Sequence, residues 1–260
     1  MKIALFQMSP AQCPTGMLDR VEAAMRDAAG KGADILVTPA FSPMYNNASS
    51  IEAHFSRDDW ATRLTRSAIS IGISLVAGVP EQDGDTHRTS ALIINLTNPE
   101  SPAIFRKAYL YDDADRTRFV GHGPYVVTAD FDGIMTGFLM CDQIEFADNI
   151  RQLAQAGVDL IVVPTGLPQT PDQPFDAHHS VPIRAVENQI FMAYANHAHA
   201  EGIPSPQGSS CIVAPDGGIL CATPRTGDAL IYATIDPAAY VSSGPQKAFA
   251  SEMTLPKHLH

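Results

Sequence analysis

The sequence is short of cations. Its 260 residues carry 17 Lys and Arg against 28 Asp and Glu, a net charge of -11 and a pI near 5.1. That is the wrong sign for a phosphate backbone or an anionic lipid surface, so neither nucleic acid nor a membrane is expected as a partner. Long apolar runs are missing too. The stretch in MKIALFQMSP stops at Gln7, too early for a signal-peptide core, and nothing approaches the roughly 18 apolar residues of a membrane span. These absences lead to the expectation of a cytoplasmic protein. Cysteine is scarce: Cys13, Cys141, Cys211 and Cys221 form no CxxC and no Cys/His pair at metal-ligand spacing. Neither a disulfide framework nor a metal site is expected, and no cofactor. No linker, charge run or fixed-period repeat divides the chain. One domain over residues 1–236 is expected, with 237–260, which lack a clear period, as a C-terminal arm.

What is present is 45% hydrophobic sequence in which helical and extended patterns alternate. KIALFQM (2–8) reads as a strand. Leu18, Val21, Ala24, Met25 and Ala28 recur at three and four residues, a one-faced helix ending at Gly30. Extended segments follow at 34–38, 73–79, 90–96, 103–107, 133–140, 159–164, 190–195, 209–214 and 229–235. Helices are read at 60–70, at 147–156 and near 179–188, and Pro215-Asp216-Gly217-Gly218 as a hairpin turn. The strands at 90–96 and 103–107 suit antiparallel neighbours. Strands this apolar, separated by helices, require sheets covered by helices, and consecutive strands without helices require some antiparallel pairing. The fold class is α/β, with a mixed sheet or two packed sheets.

Chemistry is expected just past the carboxyl ends of strands. Cys141 stands there, closing the strand GIMTGFLMC ahead of a helix, where backbone N–H groups and the positive helix end favour a thiolate; the alternative is a buried structural thiol. Lys107 follows the strand AIFR and precedes Asp112-Asp113-Ala114-Asp115; it is either a solvated charge or a fixed cation for a developing oxyanion. Arg184 and Glu187, spaced i, i+3, can pair on a helix face. His178 and His179 suit acid/base work if they face a pocket. The loop after ILVT, PAFSPMYN, is equally well placed yet starts with no group able to move a proton.

Together these segments resemble the nitrilase superfamily of carbon-nitrogen hydrolases, in particular its short aliphatic-amidase and omega-amidase-like members. The resemblance rests on KIALFQMSP, GADILVTPAF, FRKAYLYDDADRTRF, GFLMCDQIEFADNIRQLAQAGVDLIVVPTG and VPIRAVENQIFMAYANHA, in that order. It implies a four-layer αββα sandwich, a homodimer or larger homo-oligomer with the arm crossing to a neighbour, and a small amide-type substrate. It also implies a Glu-Lys-Cys site. Cys141 matches the nucleophile. Lys107 and the backbone N–H of Asp142 match the stabilisers of the tetrahedral intermediate, and Asp115 falls where many members carry a second carboxylate, usually Glu. Phe41, Tyr45 and Thr165 are expected at the substrate.

The general base stands after the strand in a TPE pattern, which here reads TPA, so Ala40 occupies the place of the glutamate. The FSPMYN segment is one residue shorter than the common form, and Asp142 and Gln143 replace residues that are often an aromatic and an acid. Removing a positioned general base costs about two to four orders of magnitude in rate. Three readings stay open: an engineered Glu-to-Ala amidase; an enzyme whose proton transfer has moved to His178, His179, Asp142 or Glu145; and a pseudoenzyme kept for binding or assembly.

Overall fold

The computed structural model describes residues 1–9, 15–40, 60–99, 101–110, 116, 120–121, 126–166, 176–199 and 207–240. Among them are twelve strands and four α-helices. In chain order these are β1 (Lys2–Gln7), α1 (Thr15–Gly30), β2 (Ile35–Val37), α2 (Trp60–Ile71), β3 (Ser74–Asp83), β4 (Thr86–Ile94), β5 (Ala103–Arg106), β6 (Thr128–Phe131) and β7 (Ile134–Phe138). A 3₁₀ turn, Cys141–Glu145, precedes α3 (Ala147–Gln155), β8 (Leu160–Pro164), α4 (Ala177–Asn188), β9 (Phe191–Ala195), β10 (Cys211–Val213), β11 (Ile219–Ala222) and β12 (Ala229–Thr234).

The strands form two six-stranded sheets, ordered β12-β1-β2-β3-β4-β5 and β11-β10-β9-β8-β7-β6. Each has a parallel centre, β1-β2-β3 in one and β7-β8-β9 in the other, flanked by antiparallel strands. The expected pairing of the strands near 90–96 and 103–107 is found as β4 with β5, antiparallel, Ala91 opposite Phe105.

Strand alternation explains the layers. Ile3, Leu5, Ile35, Val37, Val76, Ile93 and Phe105 of the first sheet face Phe138, Leu160, Val162, Phe191, Ala193 and Ile212 of the second in one core. Ala4, Leu36, Leu75 and Leu92 point outward and are covered by Leu18, Val21, Met25 and Ala28 of α1 and by Leu64 and Ala68 of α2. The outer face of the second sheet, with Ile161, Val163, Met192 and Val213, is covered by Ile150 and Leu153 of α3 and by Val181 and Ala185 of α4. The result is the expected helix-sheet-sheet-helix sandwich. At Gly137 of β7 a Cβ would lie 2.9 Å from Leu153 Cδ2, so a side chain of α3 rests directly on the strand that leads to Cys141.

Two strands escape the sequence reading. β6 and β11 are four residues each and largely exposed, so neither shows an apolar run. β6 joins β7 through Asp132 and Gly133, both at positive φ (53° and 84°), the Asp-Gly signature of a tight hairpin. Helix α4 starts at Ala177, two residues before the expected start, because the Asp176 carboxylate accepts the His178 N–H at 2.9 Å. Tyr240, early in the C-terminal segment, packs edge-on against Phe191 with ring centroids 5.2 Å apart.

Candidate active site

The carboxyl ends of β2, β5, β7, β8 and β9 deliver Ala40, Lys107, Cys141, Thr165 and His197. Lys107 continues β5, its N–H donating to Thr89 O at 2.9 Å. Phe105 lies in the core between the sheets, and Lys107, two residues on, shares its face. Arg106 points the other way and binds the Glu81 carboxylate through Nε and Nη2.

Cys141 opens the 3₁₀ turn with φ of 50°, a left-handed backbone that costs a non-glycine residue on the order of 1–3 kcal/mol. Three contacts hold that conformation. Gln143 Oε1 accepts the Met140 N–H at 2.9 Å, Asn149 Nδ2 of α3 donates to Gln143 O at 2.8 Å, and Arg184 Nη2 of α4 donates to Glu145 O at 2.9 Å. The thiol is buried in the core between the sheets, in the same cluster as Ala40. The helix expected at 147–156 is found as α3, Ala147–Gln155, and the residues between it and the strand form the 3₁₀ turn.

The turn aims Asp142 at the lysine. Asp142 Oδ1 lies 2.7 Å from Lys107 Nζ, and the two side chains are only 5% and 4% exposed. Breaking such a buried pair by removing one partner costs about 3–5 kcal/mol. Glu145, at the end of the turn and half-buried, has its carboxyl pushed above the usual range, first by burial, then by the Asp142 charge, with Lys107 pulling the other way.

Ala40 is held by its backbone from both sides. Its N–H donates to Thr165 O at 3.1 Å, and its carbonyl oxygen accepts from His197 Nε2 at 2.7 Å. Thr165 is fully buried with its hydroxyl donating to Val163 O at 3.1 Å, so its carbonyl is what holds the Ala40 chain. The short contact assigns the His197 proton to Nε2; Nδ1 faces Met8 O at 3.2 Å. Burial holds this imidazole below its ordinary pKa, against the pull of the two carbonyls. His197 thereby ties the end of β2 to the end of β9, and the next residue's N–H, that of Ala198, donates to Met8 O at 2.8 Å at the end of β1. The sequence reading passed over it, although Asn196-His197 directly follows an apolar strand, where site residues are expected. Tyr194, also passed over, is fully buried; its hydroxyl pKa is raised by burial and then by Cys141 and Cys211.

The remaining candidates are dispersed. The His179 side chain is 82% exposed, 3.2 Å from Asp176, and faces solvent. His178 Nε2 is buried in α4 without a hydrogen-bond partner among the described residues. Arg184 and Glu187 pair as expected, Nη1 to Oε2 at 3.1 Å. Asp115, Phe41 and Tyr45, and also Cys13, lie outside the described residues. Burial, and after it Asp176, pushes the Cys211 thiol up to about 12, which suits a packing role. No cluster of three metal-ligating side chains occurs among the described residues, and no described helix is long and apolar enough to cross a membrane.

A family model described as carbon-nitrogen hydrolase matches residues 2–243. The chain belongs to the carbon-nitrogen hydrolase family. This hydrolase is 33% identical, over 241 residues, to a protein of Pseudomonas protegens named as a hydrolase in the pqqF 5′ region, covering 91% of this chain and 83% of that one. It is 27% identical over 251 residues to the omega-amidase of Homo sapiens, covering 90% and 88%. A crystal structure of an amidase from Nesterenkonia sp. superposes with a TM-score of 0.79 at 30% identity, covering 89% of each chain. The hydrolase is thus an amidase-like enzyme by kinship, and its sandwich is the fold of those amidases.

Proposed function

We propose that this protein hydrolyses a small amide, or a related C–N bond, through an acyl-thioester on Cys141, with the proton transfers relocated from position 40 to Glu145. The observation that carries the reading is the strained Cys141 turn beside the buried Lys107–Asp142 pair, with Glu145 at the far end of the same turn. A carboxyl whose pKa is raised toward neutrality takes and returns protons more readily than an ordinary one. The exposed His179 is the weakest of the replacement candidates.

In the proposed cycle the Cys141 thiol proton passes to the Glu145 carboxylate as sulfur adds to the amide carbon. The oxyanion so formed is met by the Lys107 ammonium and the Asp142 N–H. Collapse breaks the C–N bond, and the amine leaves with the proton from Glu145. Water then gives a proton to Glu145 as its oxygen adds to the thioester; collapse releases the carboxylic acid, and the sulfur regains its proton.

In the Nesterenkonia amidase, variants with a glutamate replaced by glutamine or leucine carry the acetamide moiety of fluoroacetamide on the active-site cysteine. Fluoroacetamide is therefore the first probe. Peptide mapping should find the acetamide moiety on Cys141 and not on Cys211 or Cys221. Labelling spread over all thiols, or absent from Cys141, removes the nucleophile assignment. A homodimer belongs to the same proposal and is supported by Ile183 and Val186 on the outer face of α4, which are 51% and 43% exposed.

A further inference from the structure

We propose that Asp142 supplies the negative charge that holds Lys107 in this site, and that Ala40 is the complement of that arrangement: positions 40 and 142 are coupled, and one of them must stay neutral. The inference rests on the Cys141 reading for its catalytic consequence, but not for its charge balance.

A buried ammonium needs a charged or strongly polar partner. β5 directs Lys107 inward, and the Asp142 carboxylate meets it at 2.7 Å. The aspartate owes its direction to the left-handed Cys141 backbone, which is braced by Gln143, Asn149 and Arg184. Nucleophile geometry and lysine neutralisation are therefore set by the same turn. Position 40 belongs to the same core cluster as Cys141, its backbone pinned by Thr165 O and His197 Nε2. A glutamate at 40 would bring a third carboxylate, after Asp142 and Glu145, to a site whose one ammonium among the described residues is Lys107. Burial, and after it the Asp142 charge, already push the Glu145 carboxyl up, so a further negative charge would add to that repulsion. Alanine at this place avoids that conflict.

The test is a double-mutant cycle over positions 40 and 142, read by melting temperature, by the pH dependence of Cys141 labelling with fluoroacetamide, and by turnover of short amides. Asp142→Asn should lower the melting temperature by about 6–20 °C and shift the pH dependence of labelling. The groups bearing on that profile are Cys141, Lys107, Asp142, Glu145, Tyr194 and, through its backbone clamp, Arg184. Asp142→Glu should recover part of both readouts. Ala40→Glu alone should give no gain in turnover and lose stability. The pair Ala40→Glu/Asp142→Asn should exceed each single variant in turnover by about tenfold or more. Additive behaviour overturns the proposal, as does an Asp142→Asn variant that melts and labels like the parent. If Asp142→Asn does not fold, Lys107→Met/Asp142→Leu carries the comparison, because recovered folding supports a buried pair and continued failure contradicts it. Absence of both turnover and labelling would end the catalytic reading, while the melting data would still decide the charge coupling.

Discussion

At the scale of single residues, Glu145 and His197 make opposite demands on pH. The Glu145 carboxyl is raised in the folded protein, so the fold binds its proton more tightly than the unfolded chain does, and ionisation at neutral pH costs stability. Glu145→Gln should therefore raise the melting temperature at pH 7 while lowering kcat/KM by about two to four orders of magnitude. The parent's acid limb should lie above the ordinary carboxylate value and vanish in the variant. His197 is held low by burial, so the unfolded chain takes the proton more readily. Stability from the neutral ring is complete above the ordinary histidine value of about 6.5 and is lost as pH falls below it. Melting curves between pH 5 and 8 should show that loss in the parent, and His197→Gln should flatten it at the expense of overall stability. A parent whose melting temperature is flat across the window contradicts the neutral, buried ring. Neither behaviour was legible in the sequence. Pairing His197 with a residue 157 positions away depends on two sheets meeting at their strand ends, and the raised carboxyl depends on how deeply the turn is buried. Cys141 and Lys107 were legible as candidates because each follows a strand, and their roles only through the family resemblance.

At the scale of elements, the 3₁₀ turn is the unit of the site, and α4 clamps it. Arg184 donates to the Glu145 carbonyl from one side and pairs with Glu187 on the other. Arg184→Ala should leave the turn's last carbonyl without its partner, at about 1–3 kcal/mol, and depress kcat more than it raises KM. Arg184→Lys, with a single ammonium for the planar fork, should recover only part. Equal stability and unchanged kinetics in both variants would remove the clamp from the account. Periodicity located the helices and long strands because each buries a full face, as with Leu18, Val21 and Met25 of α1. It missed β6 and β11, whose exposed four-residue strands depend on neighbours for their hydrogen bonds. The sequence also suggested i, i+3 pairing of Arg184 with Glu187 but not the clamp on the turn, which requires α3 and α4 to be packed side by side.

At the scale of the whole molecule, two sheets with parallel centres meet at one rim, where Ala40 is held by backbone hydrogen bonds to Thr165 and His197. The exposed apolar residues of α4 lie on the outer layer, away from that rim. Ile183→Glu combined with Val186→Lys should convert a dimer to monomers in light scattering without abolishing Cys141 labelling; a parent already monomeric at micromolar concentration rejects the surface. Sheets covered by helices were readable from alternating apolar strands and helices, while the four-layer sandwich and its chemistry were readable only through the family resemblance of five ordered motifs. The consequence of TPA in place of TPE was not, because it depends on which side chains the folded sheets bring together at that rim, such as Lys107 and Asp142. The most direct test of the account is intact mass spectrometry of acid-quenched protein during turnover of a short amide such as butyramide. An acyl group should accumulate on Cys141 and then clear as acid is released, and it should be lost in Cys141→Ala. No adduct and no product across a panel of short amides, with Cys141→Ala indistinguishable from the parent, would contradict it.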